Sequence, residues 1–279
     1  MKVEDYEIGP DVRLVRADLQ AASLAGVDLS RANLTEANLA GAGLTWATLN
    51  SALLPRANLS SAKLSSANLN FANLCEANLA GADLTGATLN SALLLRADLS
   101  SAKLSSADLS MANLVEANLA GADLTKATLS MALLPRSNLS SANLSSANLG
   151  GATLTEANLA GADLTEAILR VAILWLADLT EANLAGADLG GATLVEANLA
   201  GADLPEANFN AANLYLANLG GANLFHANLA GADLTEANFR AATLYLANLG
   251  GANLTEAVAD QATQWPDDFD PEAAGVIFV

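Results

Sequence analysis

The chain has 279 residues, of which 52% are apolar but only 4% are aromatic and 15% are charged, so alanine and leucine supply most of the apolar share. The formal net charge of −18 argues against a nucleic-acid binder, which would need Lys and Arg to replace counterions. No stretch approaches the ~18 apolar residues of a membrane span, and the first residues lack the apolar region of a signal peptide. The single cysteine, Cys75, permits no internal disulfide, which fits a reducing compartment. We therefore predict a cytoplasmic protein.

Residues 1–13 precede the first repeat, and we predict that they form an N-terminal cap. Stacked β-structure exposes edges at its two ends, which need to be covered. Val3, Tyr6 and Ile8 are the apolar residues available for this cover. The sequence does not predict the structure of this cap.

A five-residue period runs through residues 14–257. Every fifth residue from Leu14 to Leu254 is leucine apart from two phenylalanines, which gives 49 consecutive repeats without an insertion. From Ala17 onward, alanine lies two residues before each of these positions, with only Val27 and Ser137 departing. A helix with 3.6 residues per turn would spread this period around its whole surface, whereas residues two apart on a strand share one side. The period therefore predicts short extended segments and corners that wind into a coil with leucine and alanine inside.

Charges spaced 20 residues apart predict four sides per coil. Every twentieth residue alternates strictly in sign along Arg16, Glu36, Arg56, Glu76, Arg96, Glu116, Arg136 and Glu156. A second series alternates in the same way at Lys63, Asp83, Lys103 and Asp123. Alternation is what neighbours stacked ~4.8 Å apart require, because like charges directly opposite each other are unfavourable. A segment of residues 36–69 also recurs with shifts of 40 residues, which is a whole number of 20-residue coils but not of 15-residue coils.

A third series begins at Asp18 and has three asparagines between successive aspartates up to Asp178. One hypothesis is an acidic recognition face. The hypothesis we favour is a hydrogen-bonded asparagine ladder that keeps carboxylates from stacking.

The last segment, residues 258–279, leaves the period, and we predict that it forms the C-terminal cap. Asp270 and Pro271 match the N-cap and first helical position of a short helix. Trp265, Phe269 and Ile277, followed by Phe278, would supply apolar cover for the last coil.

Tandem A-[DN]-L-x-x units resemble the pentapeptide repeat proteins, over about residues 12–257. The resemblance implies an all-β fold, a right-handed quadrilateral β-helix with four pentapeptides per coil. Forty-nine repeats would then make about twelve coils, hence a rod of roughly 59 Å. The tail is also similar to the terminal segment of cyanobacterial members. Some members of the family are DNA mimics that bind DNA gyrase and protect it from quinolones, others act in cyanobacterial differentiation, and no catalytic residues accompany the family.

The chain offers few residues for chemistry, so we predict that it is not an enzyme and uses no cofactor or metal. His226 is the only histidine and lies at a corner, between Glu206 and Leu246 in its series. Cys75 points outward without a basic neighbour that would lower its pKa. No phosphate-binding loop, dinucleotide motif or metal-ligand cluster is present in the sequence.

One side carries apolar residues where asparagine or threonine is usual, which is typical of an interface on a soluble protein. The alternative is that these residues serve only cross-coil packing. We expect the centre of the interface at seven outward residues that would form one vertical band: Leu93, Leu95, Leu133, Ile173, Trp175, Val195 and Tyr215. Leu53, Pro55, Val115 and Pro135 extend the same side, and Met111, Met131 and Val171 border it.

Three functional hypotheses remain open. The first is a structural or interaction scaffold that binds an unknown protein partner, or a second copy, and contacts neither nucleic acid nor membrane. The second is a gyrase-binding DNA mimic. B-DNA carries about one negative charge per 1.7 Å of its axis. The net charge of −11 on residues 14–257, spread along the rod, gives a linear charge density about threefold lower. The third is an idealised solenoid with no partner.

Overall fold

The computed structural model describes residues 2–3 and 6–279, and side chains from residue 6 onward. Contacts divide the chain into two compact units, Met1–Asn143 and Leu144–Val279. Both units are built in the same way from the pentapeptide, so one repeat explains most of the structure.

Each pentapeptide turns the chain through a corner directly after its leucine. The carbonyl of Leu14 accepts a hydrogen bond from the N–H of Ala17 at 3.1 Å, and this bond recurs along both units. The second corner residue has a left-handed backbone, with φ between 52° and 60° where it is not glycine. A positive φ at the third of four residues is the arrangement of a type II turn. Glycine adopts it without strain, which explains its frequency at these corners.

Successive coils join through parallel β-bridges between residues 20 apart. In the first unit the N–H of Leu19 donates to the Asn38 carbonyl at 2.7 Å, and the N–H of Asn38 donates to the Ala17 carbonyl at 2.9 Å. The second unit repeats the pattern, for example between Leu179 and Asn198 at 2.7 Å. Four pentapeptides therefore complete one coil in each unit, as the charge spacing predicted.

A side chain satisfies the one backbone N–H of each repeat that the corner bond and the coil-to-coil bonds leave without a partner. The residue before the core leucine, where it is Asn or Asp, accepts a hydrogen bond at Oδ1 from the N–H two residues later. Asn38 does so for Ala40 at 3.3 Å and Asn218 does so for Gly220 at 3.1 Å. This local Asx turn gives a physical reason for Asn and Asp at this position, because every N–H in such a repeat then has an acceptor.

The core consists of the leucine and alanine series. Core leucines from Leu24 to Leu244 are completely buried, and the alanines with them are at most about 1% exposed except at the ends. Phe209 and Phe239 replace leucine and are also fully buried. Ser137, the one polar residue at an alanine position, is 1% exposed and donates its hydroxyl to the Leu134 carbonyl at 2.8 Å. Burial of each leucine contributes about 1.5–3 kcal/mol before the entropic cost of ordering the chain.

Within residues 2–3 and 6–279, four short strands lie near the ends of the chain. β1 (Lys2–Val3) pairs antiparallel with β2 (Tyr6–Glu7), and β3 (Val258–Ala259) pairs parallel with β4 (Ile277–Phe278). Near the N-terminus, Ile8 is 4% exposed and the Tyr6 hydroxyl accepts a hydrogen bond from the N–H of Asp18 at 3.3 Å. The division into an N-terminal cap at 1–13, a solenoid at 14–257 and a C-terminal cap at 258–279 stays a prediction.

The predicted C-terminal helix is wrong. Asp270 does accept the N–H of Ala273 at 3.1 Å, as an N-cap would, but residues 271–275 form turns. Gly275, with φ of +90°, ends the segment, and the N–H of Ile277 then donates to the Ala257 carbonyl at 2.8 Å. The pairing of β4 with β3 therefore leaves too few residues for a helix. Within residues 2–3 and 6–279 there is no helix long and apolar enough to cross a membrane.

Candidate interaction face

Each unit carries part of the apolar side described from the sequence, and we call this part the apolar face of that unit. It consists of the residue before the core leucine and the residue after it on one side of the coil. The first unit contributes Leu53, Pro55, Leu93, Leu95, Val115, Leu133 and Pro135, and the second contributes Ile173, Trp175, Val195 and Tyr215. Because each unit is described by itself, the single band predicted across all of these residues stays a prediction.

In the first unit the apolar face has a regular alternation. Leu93 bridges to Asn113, and Asn113 bridges to Leu133, so leucine and asparagine alternate from coil to coil. The three leucines of this row are each 42–43% exposed. Leu95 lies two residues after Leu93 and is half-buried.

The corner beside these leucines carries a second apolar row. Phe71, Met111 and Met131 are 62%, 55% and 62% exposed, and each lies two residues before the outward residue of its repeat. Sequence reasoning placed the two methionines at the border but missed Phe71. The signal that would have found it is the serine at the equivalent corners, Ser51 and Ser91.

An ion-pair column borders the apolar face of the first unit. Arg56 Nε donates to Glu76 Oε2 at 2.7 Å, and Arg96 Nε donates to Glu116 Oε2 at 2.6 Å. The hydrogen bond from Arg56, with its positive charge, lowers the pKa of Glu76 below its ordinary value. Within this unit the predicted alternating column is thus resolved into separate Arg–Glu pairs, and each pair contributes little to stability because its groups are exposed to water.

The second unit concentrates apolar residues in a single coil. Five large side chains between residues 168 and 176 are each 39–63% exposed: Ile168, Val171, Ile173, Trp175 and Leu176. They continue from one side of the coil, around a corner, across the apolar face to the next corner. Ile168 and Leu176 were missed from sequence, although Ile168 also replaces the usual Asn or Asp before a core leucine.

Farther along the second unit, the apolar face becomes polar at its edge. The next residues of the apolar face occupy successive coils after Trp175. The N–H of Leu176 donates to the Val195 carbonyl at 3.0 Å, and the N–H of Glu196 donates to the Tyr215 carbonyl at 2.9 Å. The Tyr215 hydroxyl donates to Glu236 Oε1 at 3.0 Å. This hydrogen bond and the negative charge of Glu236 raise the pKa of Tyr215 above its ordinary value.

A different side of the second unit carries an aromatic cluster that sequence reasoning missed. The Phe225 and Tyr245 rings stack with centroids 6.2 Å apart, and the His226 ring meets Phe225 edge-on at 4.5 Å. Phe225, Tyr245 and Leu246 are 37%, 42% and 46% exposed. The lone histidine therefore lies against an aromatic ring rather than in a constellation of polar groups.

The asparagine ladder is present in both units. Asn118 Nδ2 donates to Asp98 Oδ1 at 3.0 Å, and Asn218 Nδ2 donates to Asn198 Oδ1 at 2.8 Å. Asp178 likewise accepts from Asn198 at 3.4 Å and from the N–H of Thr180 at 3.0 Å. These aspartates hold the backbone and the ladder together, so they do not form the free carboxylate row of an acidic recognition face.

The second unit has one open depression lined in part by acidic residues. It has a volume of about 250 Å³ and lies around Gly186 between Glu166 and Glu206. Across the residues with described side chains, no group of three His, Cys, Asp or Glu side chains is placed to hold a metal ion.

The model of the pentapeptide repeat family matches overlapping stretches from residue 13 to residue 256, so the chain belongs to the pentapeptide repeat proteins. The repeats imply the right-handed β-helix of that family. HetL, a pentapeptide repeat protein involved in heterocyst differentiation regulation in the cyanobacterium Nostoc, is 35% identical over 86% of this chain and 92% of its own, with a TM-score of 0.28. A pentapeptide repeat protein from the cyanobacterium Cyanothece is 40% identical over 37% of this chain and 63% of its own, with a TM-score of 0.30.

QnrB1, a plasmid-mediated fluoroquinolone resistance protein, is 17% identical over 69% of this chain and 86% of its own, with a TM-score of 0.43. No curated protein sequence matches the chain.

Proposed function

We propose that this protein is a non-enzymatic scaffold that binds another protein through its apolar faces. The observation that carries the proposal is the replacement of Asn or Asp by Leu53, Leu93, Leu133 and Ile173. Leu93 and Ile173 give up the Asx hydrogen bond of their repeats, worth about 0.5–1.5 kcal/mol, and all four replacements leave a large apolar side chain in water. The core gains nothing in return, because these side chains point outward. A contact with a partner would recover the apolar area.

The partner supported best is a protein rather than nucleic acid or a membrane. Exposed aromatic and aliphatic residues surrounded by polar ones are typical of protein interfaces, and a few large anchors supply most of the binding energy. Trp175, 43% exposed between Ile173 and Leu176, is the strongest anchor of this kind in the second unit. Cytoplasmic location remains part of this proposal.

Site-specific photocrosslinking tests the proposal directly. A photoreactive phenylalanine analogue at Leu95 would lie on the apolar face, and the matched control at Ser100 lies on the next side at the equivalent half-buried position. In the native host, we expect one discrete protein adduct at position 95 and none at position 100. Equal adduct yields at the two positions, or no adduct at either, would contradict the proposal.

A gyrase-binding DNA mimic is the second candidate. Residues 137–257 carry twelve acidic and two basic residues, and Glu166, Glu181 and Glu206 lie at outward corners. This charge favours electrostatic binding, although its density is well below that of B-DNA. Mimicry predicts inhibition of DNA supercoiling by gyrase that weakens steeply with salt, whereas binding through the apolar faces depends little on salt. If neither activity is found, the idealised solenoid without a partner is the remaining hypothesis.

A further inference from the structure

The first unit carries a zigzag of large apolar side chains, one per coil over four coils. In chain order these are Leu53 in the outward row, Phe71 at the corner, Leu93 in the outward row and Met111 at the corner. The next coil has both Met131 and Leu133. We call this set of six residues the zigzag strip. Each is 42–62% exposed.

Small or polar residues fill the alternate positions, so the strip has hollows as well as projections. In the coils where the outward row has Leu53 or Leu93, the corner has a serine, Ser51 or Ser91. In the coils where the corner has Phe71 or Met111, the outward row has an asparagine, Asn73 or Asn113. The large side chains of the two rows are therefore offset from each other by one coil, with a small residue beside each large one. An α-helix presents a similar pattern of projections and hollows to another helix in knobs-into-holes packing.

The period of the strip selects the secondary structure of a ligand. Its layers are one coil apart, about 4.8 Å. The alternating a and d layers of a heptad helix are about 3.5 residues apart, hence about 5.2 Å. Over the four spacings of the strip, the a and d layers therefore depart from the coil layers by less than about 2 Å. Side chains on one face of an extended strand repeat every ~6.7 Å and lose register with the layers after about two spacings.

The borders of the strip limit its occupant to a slender one. On one edge lies the half-buried row of Pro55, Leu95, Val115 and Pro135, with the Arg–Glu ion pairs directly beyond it, and on the other edge lie polar residues such as Asn70 and Ser110. Two rows and five layers make a footprint of a few hundred Å², well below the ~800 Å² per partner of a stable dimer interface. A second copy of this chain packed face to face therefore fits the strip poorly.

We propose that the zigzag strip docks one amphipathic α-helix of a partner protein, with apolar residues at heptad spacing over about 14 residues or more. The inference rests on the proposed function and specifies its ligand. Since the bordering arginines and glutamates are paired with each other, the helix needs no particular net charge. Its binding should therefore depend little on salt.

A pair of synthetic peptides tests the helix. The probe is an Ala/Lys/Glu peptide of about 21 residues with leucine at every a and d position, and the control has the same composition with the leucines scattered around the helix. We expect fluorescence anisotropy with the full chain to show binding of the probe at least tenfold tighter than of the control. Equal binding of the two peptides, or no binding of the probe up to about 1 mM, would overturn the inference.

Variants of the strip then locate the binding site. Leu93→Asn and Met111→Ser introduce residues that the same rows already contain, so both variants should fold. Each should weaken probe binding about tenfold, while Trp46→Ser, at a 70% exposed corner elsewhere, should leave it unchanged. Unchanged binding in both strip variants would place the helix elsewhere and overturn the inference. A crosslinked adduct at position 95 with no helix binding would leave the proposed function standing and remove only its helical ligand.

Discussion

The side chain of Leu53 has no hydrogen-bond acceptor for the backbone, and the residue two positions later, Pro55, has no N–H that needs one. The same pairing occurs at Leu133 and Pro135. Where the Asx turn is lost, proline removes the donor that would otherwise be left without a partner, and its fixed φ suits the first corner position of a type II turn. Leu93 and Leu95 in the first unit, like Ile173 and Trp175 in the second, are exceptions in the same series. No acceptor for the N–H of Leu95 is present among the described residues.

Leu95→Pro should therefore stabilise the protein. Proline restricts the unfolded chain and costs no native hydrogen bond at this position, so we expect a gain of about 0.4–1 kcal/mol, measured as a higher urea midpoint. Val115→Pro is the matched control, because the N–H of Val115 donates to Asn113 Oδ1 at 3.2 Å and would be lost. A lower midpoint for Leu95→Pro than for Val115→Pro would contradict this account of the corners.

The interior could be predicted from the sequence almost residue by residue, because one period specifies which residues point inward. The fully buried state of Leu124 makes it the sharpest test. Leu124→Asp places a carboxylate in a dry interior with no partner, so we expect a loss of more than about 4 kcal/mol or failure to fold. Thermal unfolding followed by circular dichroism measures it. A melting temperature within a few degrees of wild type would show that the inward register is wrong.

Asparagines of one ladder should differ in their tolerance of a carboxylate. Asn118 donates to Asp98 Oδ1 at 3.0 Å, so Asn118→Asp removes that hydrogen bond and brings two carboxylates together. Asn58→Asp should cost less, since its neighbours in the ladder are Asn38 and Asn78. We expect about 1–2 kcal/mol for the first and under about 1 kcal/mol for the second at neutral pH. Equal costs would show that carboxylate repulsion does not explain the spacing of aspartates.

The ends and the surface could be predicted less well, for physical reasons that differ. Asp270 and Pro271 carry the local signals of a helix start, but Gly275 and the pairing of β4 with β3 override them, and pairing of this kind is not visible in local sequence. The Asx turns were missed because the ladder alone already accounted for the asparagines. Ile168 was missed because it lies on a different side of the coil from the apolar face, and Phe71 was missed although it shares its corner series with Met111 and Met131.

The ion-pair column should make stability depend on pH at the acid end. Hydrogen bonds from arginine lower the pKa values of Glu36, Glu76 and Glu116 below the ordinary 4.5. Because the folded pKa is the lower one, the stabilisation is fully present above pH 4.5 and is lost as the pH falls through the folded pKa values. Arg56→Gln should return the pKa of Glu76 towards 4.5, as carboxyl NMR titration would measure. An unchanged titration of Glu76 would show that the pair does not form in solution.

Trp175→Ala separates packing from recognition in the second unit. Trp175 is 43% exposed and points away from the core, so its removal should leave the melting temperature nearly unchanged. Its loss from the centre of Ile173, Val195 and Leu176 should weaken partner binding by about 2 kcal/mol or more, because large aromatic anchors supply much of an interface's energy. Trp46→Ala is the matched control, since Trp46 is 70% exposed at a corner outside the apolar face. Partner capture by a photoreactive residue at position 195, which lies on the apolar face of the same unit, provides the readout. A marked loss of stability in Trp175→Ala with undiminished capture would show that the tryptophan only packs across coils, and the apolar face of the second unit would then have no role in binding.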